Sequence, residues 1–216
     1  MTMTSNRSVL PAAVALFIAA AFVSACGADH LSAPSAGLRP AAASASHGGS
    51  GSGSSAPQFL TADTAAPTIS NPVIAFWAKK GRDTTVAMYY HARPGHNDST
   101  TFMRFRVRSR SLQSRPDGTL IANGDSVLIT VTLIDPVALK LDFQPSGLQF
   151  SSHDPAELKL SFEETVPIGS TNLQALKIWR KESALDPWLP LSSVLLVELN
   201  EVQANISGFT GYALAY

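Results

Sequence analysis

Met103-Arg104-Phe105-Arg106-Val107-Arg108 alternates apolar and charged side chains without a break, the period of two that belongs to a strand with one face in a core and the other in water. The same alternation continues in both directions. Upstream, Val86, Met88 and Tyr90 alternate with Ala87, Tyr89 and His91. Downstream, Val127, Ile129, Val131 and Leu133 share one face, Leu139, Leu141 and Phe143 stand around Lys140 and Asp142, and Leu158, Leu160 and Phe162 stand around Lys159 and Ser161. Further strands are predicted over 176–180, 194–199, 202–206 and 212–216. Between these runs lie turn signals: Arg93-Pro94-Gly95, Pro116-Asp117-Gly118, Asn123-Gly124-Asp125 and Pro145-Ser146-Gly147.

No window holds a helical period. Short strands at regular spacing with Gly and Pro turns predict an all-β fold, an antiparallel β-sandwich of about eight to ten strands. A core of that size needs no disulfide.

The first part of the chain reads differently. Residues 1–8 carry Arg7 and no acid, and they lead into the apolar run 9–23, which is short and Ala-rich for a membrane span. This is the layout of a signal peptide, and it ends on Val23-Ser24-Ala25-Cys26. An aliphatic residue, two small residues and a cysteine resemble the bacterial lipobox, which implies cleavage before Cys26 and lipidation of that residue, the single cysteine of the chain. The alternatives are an ordinary secretory signal beside an adventitious cysteine and an uncleaved anchor helix. More than one acyl chain suffices for stable anchoring, and the folded part carries no thiol for a disulfide, a metal or nucleophilic catalysis. Gly27 stands where an Asp implies inner-membrane retention in enteric-type sorting, so the resemblance favours the outer membrane.

From Gly27 to about Ala66 the composition is mostly Ala, Ser, Gly and Pro, which predicts a flexible linker with a root-mean-square reach of roughly 35 Å. The expected organisation is a signal peptide over 1–25, a lipidated N-terminus and linker over 26–66, and a β-sandwich over 67–216.

Basic and acidic residues balance at 16 each, so net charge gives no reason to invoke nucleic acid or an acidic membrane surface. The balance is uneven along the chain. Between Trp77 and Arg115 nine basic residues face only Asp83 and Asp98, and acid prevails after Pro116. Complementary outer charges on neighbouring layers are one reading; a basic strip for an extracellular polyanion is the other.

The C-terminal half carries an ordered set of motifs. Gln144-Pro145-Ser146-Gly147-Leu148-Gln149-Phe150 runs into Pro155-Ala156-Glu157-Leu158-Lys159-Leu160-Ser161-Phe162, followed by Leu176-Lys177-Ile178-Trp179, Trp188-Leu189-Pro190-Leu191 and the closing Gly208-Phe209-Thr210-Gly211-Tyr212-Ala213-Leu214-Ala215-Tyr216. Over about 124–216 this order resembles the ZU-five domain, the β-sandwich named for zonula occludens and Unc-five receptors, and especially its bacterial lipoprotein relatives. The resemblance implies a binding or scaffolding module without a cofactor. Some members of that family cut their own chain at a His-Phe-Ser type motif; Gly208-Phe209-Thr210 lacks the His, so self-cleavage at Thr210 is not expected. Ile134-Asp135-Pro136-Val137 departs from the family's usual Pro-x-Gly turn.

His91, His96 and Asp98 flank one turn and have the chemistry of metal ligands, but Arg93 lies among them and no fourth ligand is evident, so no metal is assigned. Arg104, Arg106, Arg108 and Arg110 form a stripe whose neighbours stand roughly 6.8 Å apart along a strand. They either hold an anionic polymer by bidentate hydrogen bonds or pair with acids such as Asp142, Glu157 and Glu163 on adjacent strands. No Ser elbow, spaced carboxylate pair or phosphate loop stands in a catalytic context, and adjacent Glu163 and Glu164 would point to opposite faces of a strand. Trp77, Trp179 and Trp188 are either an aromatic platform for sugar or packing residues. The expected protein is a lipid-anchored envelope protein with a non-enzymatic sandwich for protein interaction or scaffolding, its alternative a binder of anionic or neutral surface glycans.

Overall fold

The computed structural model describes residues 56–95, 99–183 and 185–216. The signal-peptide region, Cys26 and most of the linker lie outside the described residues, as do His96 and Asp98. No helix among the described residues is long and apolar enough to cross a membrane.

The alternating segments form β1 (Val73–Lys79), β2 (Thr84–Tyr89), β3 (Thr101–Val107), β4 (Leu112–Ser114), β5 (Ser126–Asp135), β6 (Lys140–Gln144), β7 (Gln149–Phe150) and β8 (Ala156–Ser161). A short helix, α1 (Ser170–Ala175), precedes β9 (Lys177–Lys181), β10 (Leu189–Pro190), β11 (Ser193–Leu196), β12 (Glu201–Ile206) and β13 (Gly211–Ala215). Two antiparallel sheets result. The first has the order β1-β5-β6-β13-β9-β10 and the second β11-β12-β8-β3-β2, while β4 and β7 make a separate two-stranded pair. The fold is all-β, with thirteen strands among the described residues where about eight to ten were expected. The surplus comes from pieces of two or three residues, β4, β7 and β10, too short for an alternating pattern to register.

The parities read from the sequence hold in the central strands. Met103, Phe105 and Val107 are buried while Arg104 and Arg106 are exposed, and Val127, Ile129 and Val131 are buried around the exposed Leu128. The buried set meets between the sheets as an aromatic cluster. Phe105 of the second sheet stands 5.2 Å, centroid to centroid, from Phe143 of the first, and Phe209 lies 5.3 Å from Phe143 and 5.0 Å from Phe150. Edge-on contacts of this kind are favourable for aromatic quadrupoles and fix the spacing of the layers. Strands from before Leu120 stand in both sheets, β1 on β5 and β3 on β8.

Three expectations differ from the structure. The predicted strand over 194–199 stops at Leu196 and turns into a 3-10 helix over Val197–Leu199, ended by Asn200 in the left-handed region at φ 51°. Phe162 lies just beyond β8, half-buried, because Ser161 takes the last buried position of the strand. The third concerns the linker: its last residues are part of the sandwich. Gln58 N–H donates to Tyr216 O (3.0 Å), Tyr216 N–H returns a bond to Gln58 O (3.1 Å), and Leu60 N–H donates to Leu214 O (2.9 Å). β13 pairs with β6 only at Gly211 and Tyr212, so the segment around Phe59 occupies the place that β6 leaves beside Ala215. Leu60 is buried and Phe59 packs edge-on against Trp188 at 5.0 Å. Two apolar residues and a run of main-chain bonds thus dock a stretch whose average composition predicts a free coil.

Candidate functional site

Three places on the sandwich carry chemistry: the charged outer face of the second sheet, a pair of cavities around Tyr90, and the outer flank of β1.

The arginine stripe is shorter than its sequence. β3 ends at Val107, so Arg108 stands just past the strand and Arg110 in the following turn, and four guanidiniums do not line up. Arg106 faces Thr85 on one side and Glu157 on the other, and its Nη2 lies 2.5 Å from Asp83 Oδ2. Arg108 Nη2 is 3.0 Å from Glu157 Oε2, with Nη1 3.6 Å from Asp154 Oδ1. Glu157 also accepts from Gln203 Nε2 at 3.2 Å. Arg104 directly faces Lys159, which reaches Glu201 at 3.8 Å. Neither Arg104 nor Arg110 has an ion-pair partner among the described residues. Of the acids expected to pair with the stripe, only Glu157 does so; Asp142 accepts from Gln144, and Glu163 lies in the turn beyond β8. The Arg106 guanidinium, and after it the Ser109 N–H, hold the Asp83 carboxyl below its ordinary range.

At the end of β2 the chain builds something the sequence pattern did not announce. Glu163 and Glu164 fall in a turn after β8, and Glu164 folds inward, its side chain only 9 % exposed, to meet Arg93 Nη2 at 2.5 Å. With Pro67, Tyr90, His91 and Thr100 these residues line a polar cavity of about 320 Å³. A second cavity of about 380 Å³ shares Pro67 and Tyr90 as walls and is otherwise mainly apolar, lined by Ile69, Leu133 and Leu139 among others. Tyr90 is 2 % exposed, and its hydroxyl is buried without a hydrogen-bond partner among the described residues. A buried hydroxyl left so costs about 1–3 kcal/mol. Burial, then the charges of Glu164 and Glu163, push the phenol above its ordinary value. Leu139 beside the apolar cavity sits at φ 50°, a region bulky residues rarely adopt. The turn before it is built by Asp135, whose Oδ1 accepts from Val137 N–H (3.1 Å) and Ala138 N–H (2.9 Å).

β1 is an edge strand of the first sheet, paired on one side with β5. Lys80 N–H donates to Asp125 O and Leu133 N–H to Pro72 O, so the even-numbered residues of this stretch bond toward β5. Main-chain groups alternate sides along a strand. Val73, Ala75 and Trp77 therefore turn their N–H and C=O groups to the open flank, and all three side chains face outward. Trp77 is 65 % exposed, opposite the exposed Leu128. The other two tryptophans pack: Trp179 Nε1–H donates to Ala215 O at 2.9 Å, and Trp188 meets Phe59. The three indoles do not form one platform.

His91 is exposed at the polar cavity, and the other two residues of the weighed metal set lie outside the described residues. No group of three potential metal ligands occurs among the described residues. Thr210 is buried, and its hydroxyl has no hydrogen-bond partner among the described residues.

The fold is an all-β sandwich with an edge strand on the first sheet and a pair of cavities around Tyr90. Comparison with protein-family models, curated proteins and solved structures finds no match to this chain.

Two elements of these surfaces escaped the sequence pattern. Glu164 reads as one of two adjacent turn acids, and only the inward fold of the turn distinguishes it from Glu163. The β1 flank left a trace in Val73-Ile74-Ala75-Phe76-Trp77-Ala78, an apolar run without alternation.

Proposed function

We propose that this protein is a lipid-anchored envelope protein whose β-sandwich binds a partner protein by taking an extended segment of that partner as an added strand on β1. The open flank of β1 carries the reading: unpaired main-chain groups supply affinity, and the exposed Val73 and Trp77 supply side-chain contacts. Native edge strands are normally blunted by charge, proline or a covering element. Val73 to Ala78 contains no charged residue and no proline.

Charge selects the occupant. Lys79 and Arg82 are exposed at one end of the flank without an ion-pair partner among the described residues, which suits a segment with acidic residues at the matching end. A second copy of β1 laid antiparallel would bring the Asn71–Pro72 end there, with no acid to offer. The anchor rests on the apolar run 9–23 and on Val23-Ser24-Ala25-Cys26, and no enzymatic role is part of this reading.

Intact-mass analysis of membrane-fraction protein, beside a Cys26→Ala variant, tests the anchor. The expected result is a chain beginning at Cys26 with added acyl mass, absent from the variant; an unlipidated chain would overturn it. The partner reading is tested by photo-crosslinking in the envelope from position 77, with position 104 as control. A discrete adduct from 77 that disappears on Ala75→Pro supports strand addition, because Pro removes an outward N–H without breaking a bond to β5. An adduct indifferent to Ala75→Pro, or formed equally from 104, would sink it.

A further inference from the structure

The polar cavity at Tyr90 is lined by no residue of β1, the apolar one reaches Pro72 just ahead of that strand, and three observations meet there. The polar cavity holds two carboxylates, Glu163 and Glu164, against one guanidinium, Arg93, so its lining carries an excess of negative charge. Arg93 already gives Nη2 to Glu164, and Glu163 has no ion-pair partner among the described residues. Tyr90, itself almost wholly buried, lines the cavity with a hydroxyl that has no hydrogen-bond partner among the described residues. That hydroxyl also senses both carboxylates, which help to raise its pKa, so the potential around it is negative. Beyond the wall formed by Tyr90 and Pro67 lies the apolar cavity, about 380 Å³, faced by Ile69, Leu133 and Leu139.

We infer that this end of the sandwich is a binding site for a primary ammonium or guanidinium group carried on a short apolar stem. The cation offers N–H donors to Glu163 and to the Tyr90 oxygen, the two groups that lack partners, while Glu164 remains with Arg93. The exposed Glu163 carboxylate beside the buried Tyr90 hydroxyl favours a donor-rich cation over an anion, which would meet two negative charges for one positive. The stem follows from the neighbouring cavity: its apolar walls reward a few methylenes or a ring placed beside the cationic head. Arg93 acts as a positioning residue. Its bond holds Glu164 inward at the cavity wall.

The test uses full-length protein titrated calorimetrically with n-hexylamine at neutral pH, with hexanoate and hexan-1-ol as probes of equal stem and different head. Hexylamine is expected to bind at least about tenfold tighter than either, the effect of one charge-assisted hydrogen bond. Glu163→Gln should weaken hexylamine about tenfold, and Tyr90→Phe about three- to tenfold. Both variants keep their shape, and their melting curves report folding separately. Binding of hexanoate or hexan-1-ol as tight as that of the amine would overturn the site. So would a folded Glu163→Gln or Tyr90→Phe protein that binds hexylamine like the wild type, or the absence of any heat from hexylamine at millimolar concentration. Nα-acetyl-lysine N-methylamide separates two sources of the same chemistry: tighter binding than hexylamine assigns a protein side chain, weaker binding a free amine. Ala75→Pro should leave amine binding unchanged, so this site and strand addition on β1 fail independently.

Discussion

The outer face of the second sheet and the open flank of the first are both solvent-facing strand surfaces, yet they are finished in opposite ways. On the second sheet Arg106 meets Asp83, Arg108 meets Glu157 and Asp154, and Lys159 meets Glu201, so the charges close largely on one another. On the first, β1 presents Val73, Ala75 and Trp77 with main-chain groups directed outward and no strand beside them among the described residues. The difference teaches that a conspicuous charge stripe is poor evidence of a ligand when acids stand within reach across the sheet. A quiet apolar edge leaves more unsatisfied chemistry.

Both surfaces rest on the same core, and the largest effect comes from removing it. Phe105 lies on β3 between Arg104 and Arg106 but points inward, with Phe143 at 5.2 Å and Phe209 at 5.8 Å. Phe105→Ala should cost about 3–5 kcal/mol, a large part of a typical domain's 5–15 kcal/mol. Urea unfolding followed by fluorescence checks it: the midpoint should fall sharply at nearly constant m. A loss under about 1 kcal/mol would mean that the sheets do not close on this cluster and that the two surfaces are stabilised separately.

Next in size is the internal closure of the charged face. Arg108→Ala leaves Glu157, whose side chain is mostly buried, with Gln203 as its remaining hydrogen-bond partner. A cost of about 1 kcal/mol is expected. Trp77→Lys on the open flank should leave the melting temperature essentially unchanged, because an exposed edge side chain has little folding contact to lose. If the two variants behaved alike, the distinction between a closed and an open surface would fail.

Much of this architecture was legible. Alternation placed Met103, Phe105 and Val107 in the core and Arg104 and Arg106 in water, because a half-buried strand admits only that parity. Turn chemistry was legible where glycine is required: Gly118 and Gly124 sit at φ 82° and 92°, at turns marked by Pro116-Asp117 and Asn123. Docking of residues 58–60 was not, since the gap beside β13 exists only once β6 has diverged from it. Nor was the Tyr90 site. The sequence shows Tyr90 alternating with Tyr89 and His91, but nothing in it says that the Tyr90 hydroxyl lacks a partner or that Glu164 turns in toward Arg93. Those facts arise from elements far apart in the chain meeting at one end of the sandwich.

The smallest expected effect tests whether the charged face acts electrostatically at all. Asp83 and Arg106 are exposed, so water and salt weaken their attraction. The Asp83 carboxyl nevertheless has a folded pKa below its ordinary value, set first by the Arg106 guanidinium and then by the Ser109 N–H. A group with a lowered folded pKa contributes stability that is fully present above its unfolded pKa, about 3.9, and is lost as pH falls through the folded value. Asp83→Asn keeps an oxygen for Ser109 N–H but removes the charge. The wild type should therefore melt slightly above the variant at neutral pH, and the gap should close on acidification below about pH 4 and shrink in high salt. The absence of any gap at neutral pH would show that Asp83 serves only as a hydrogen-bond acceptor for the turn. Arg106 would then be available to an external anion, and the contrast between the closed face and the open flank would narrow to Arg108 and Lys159.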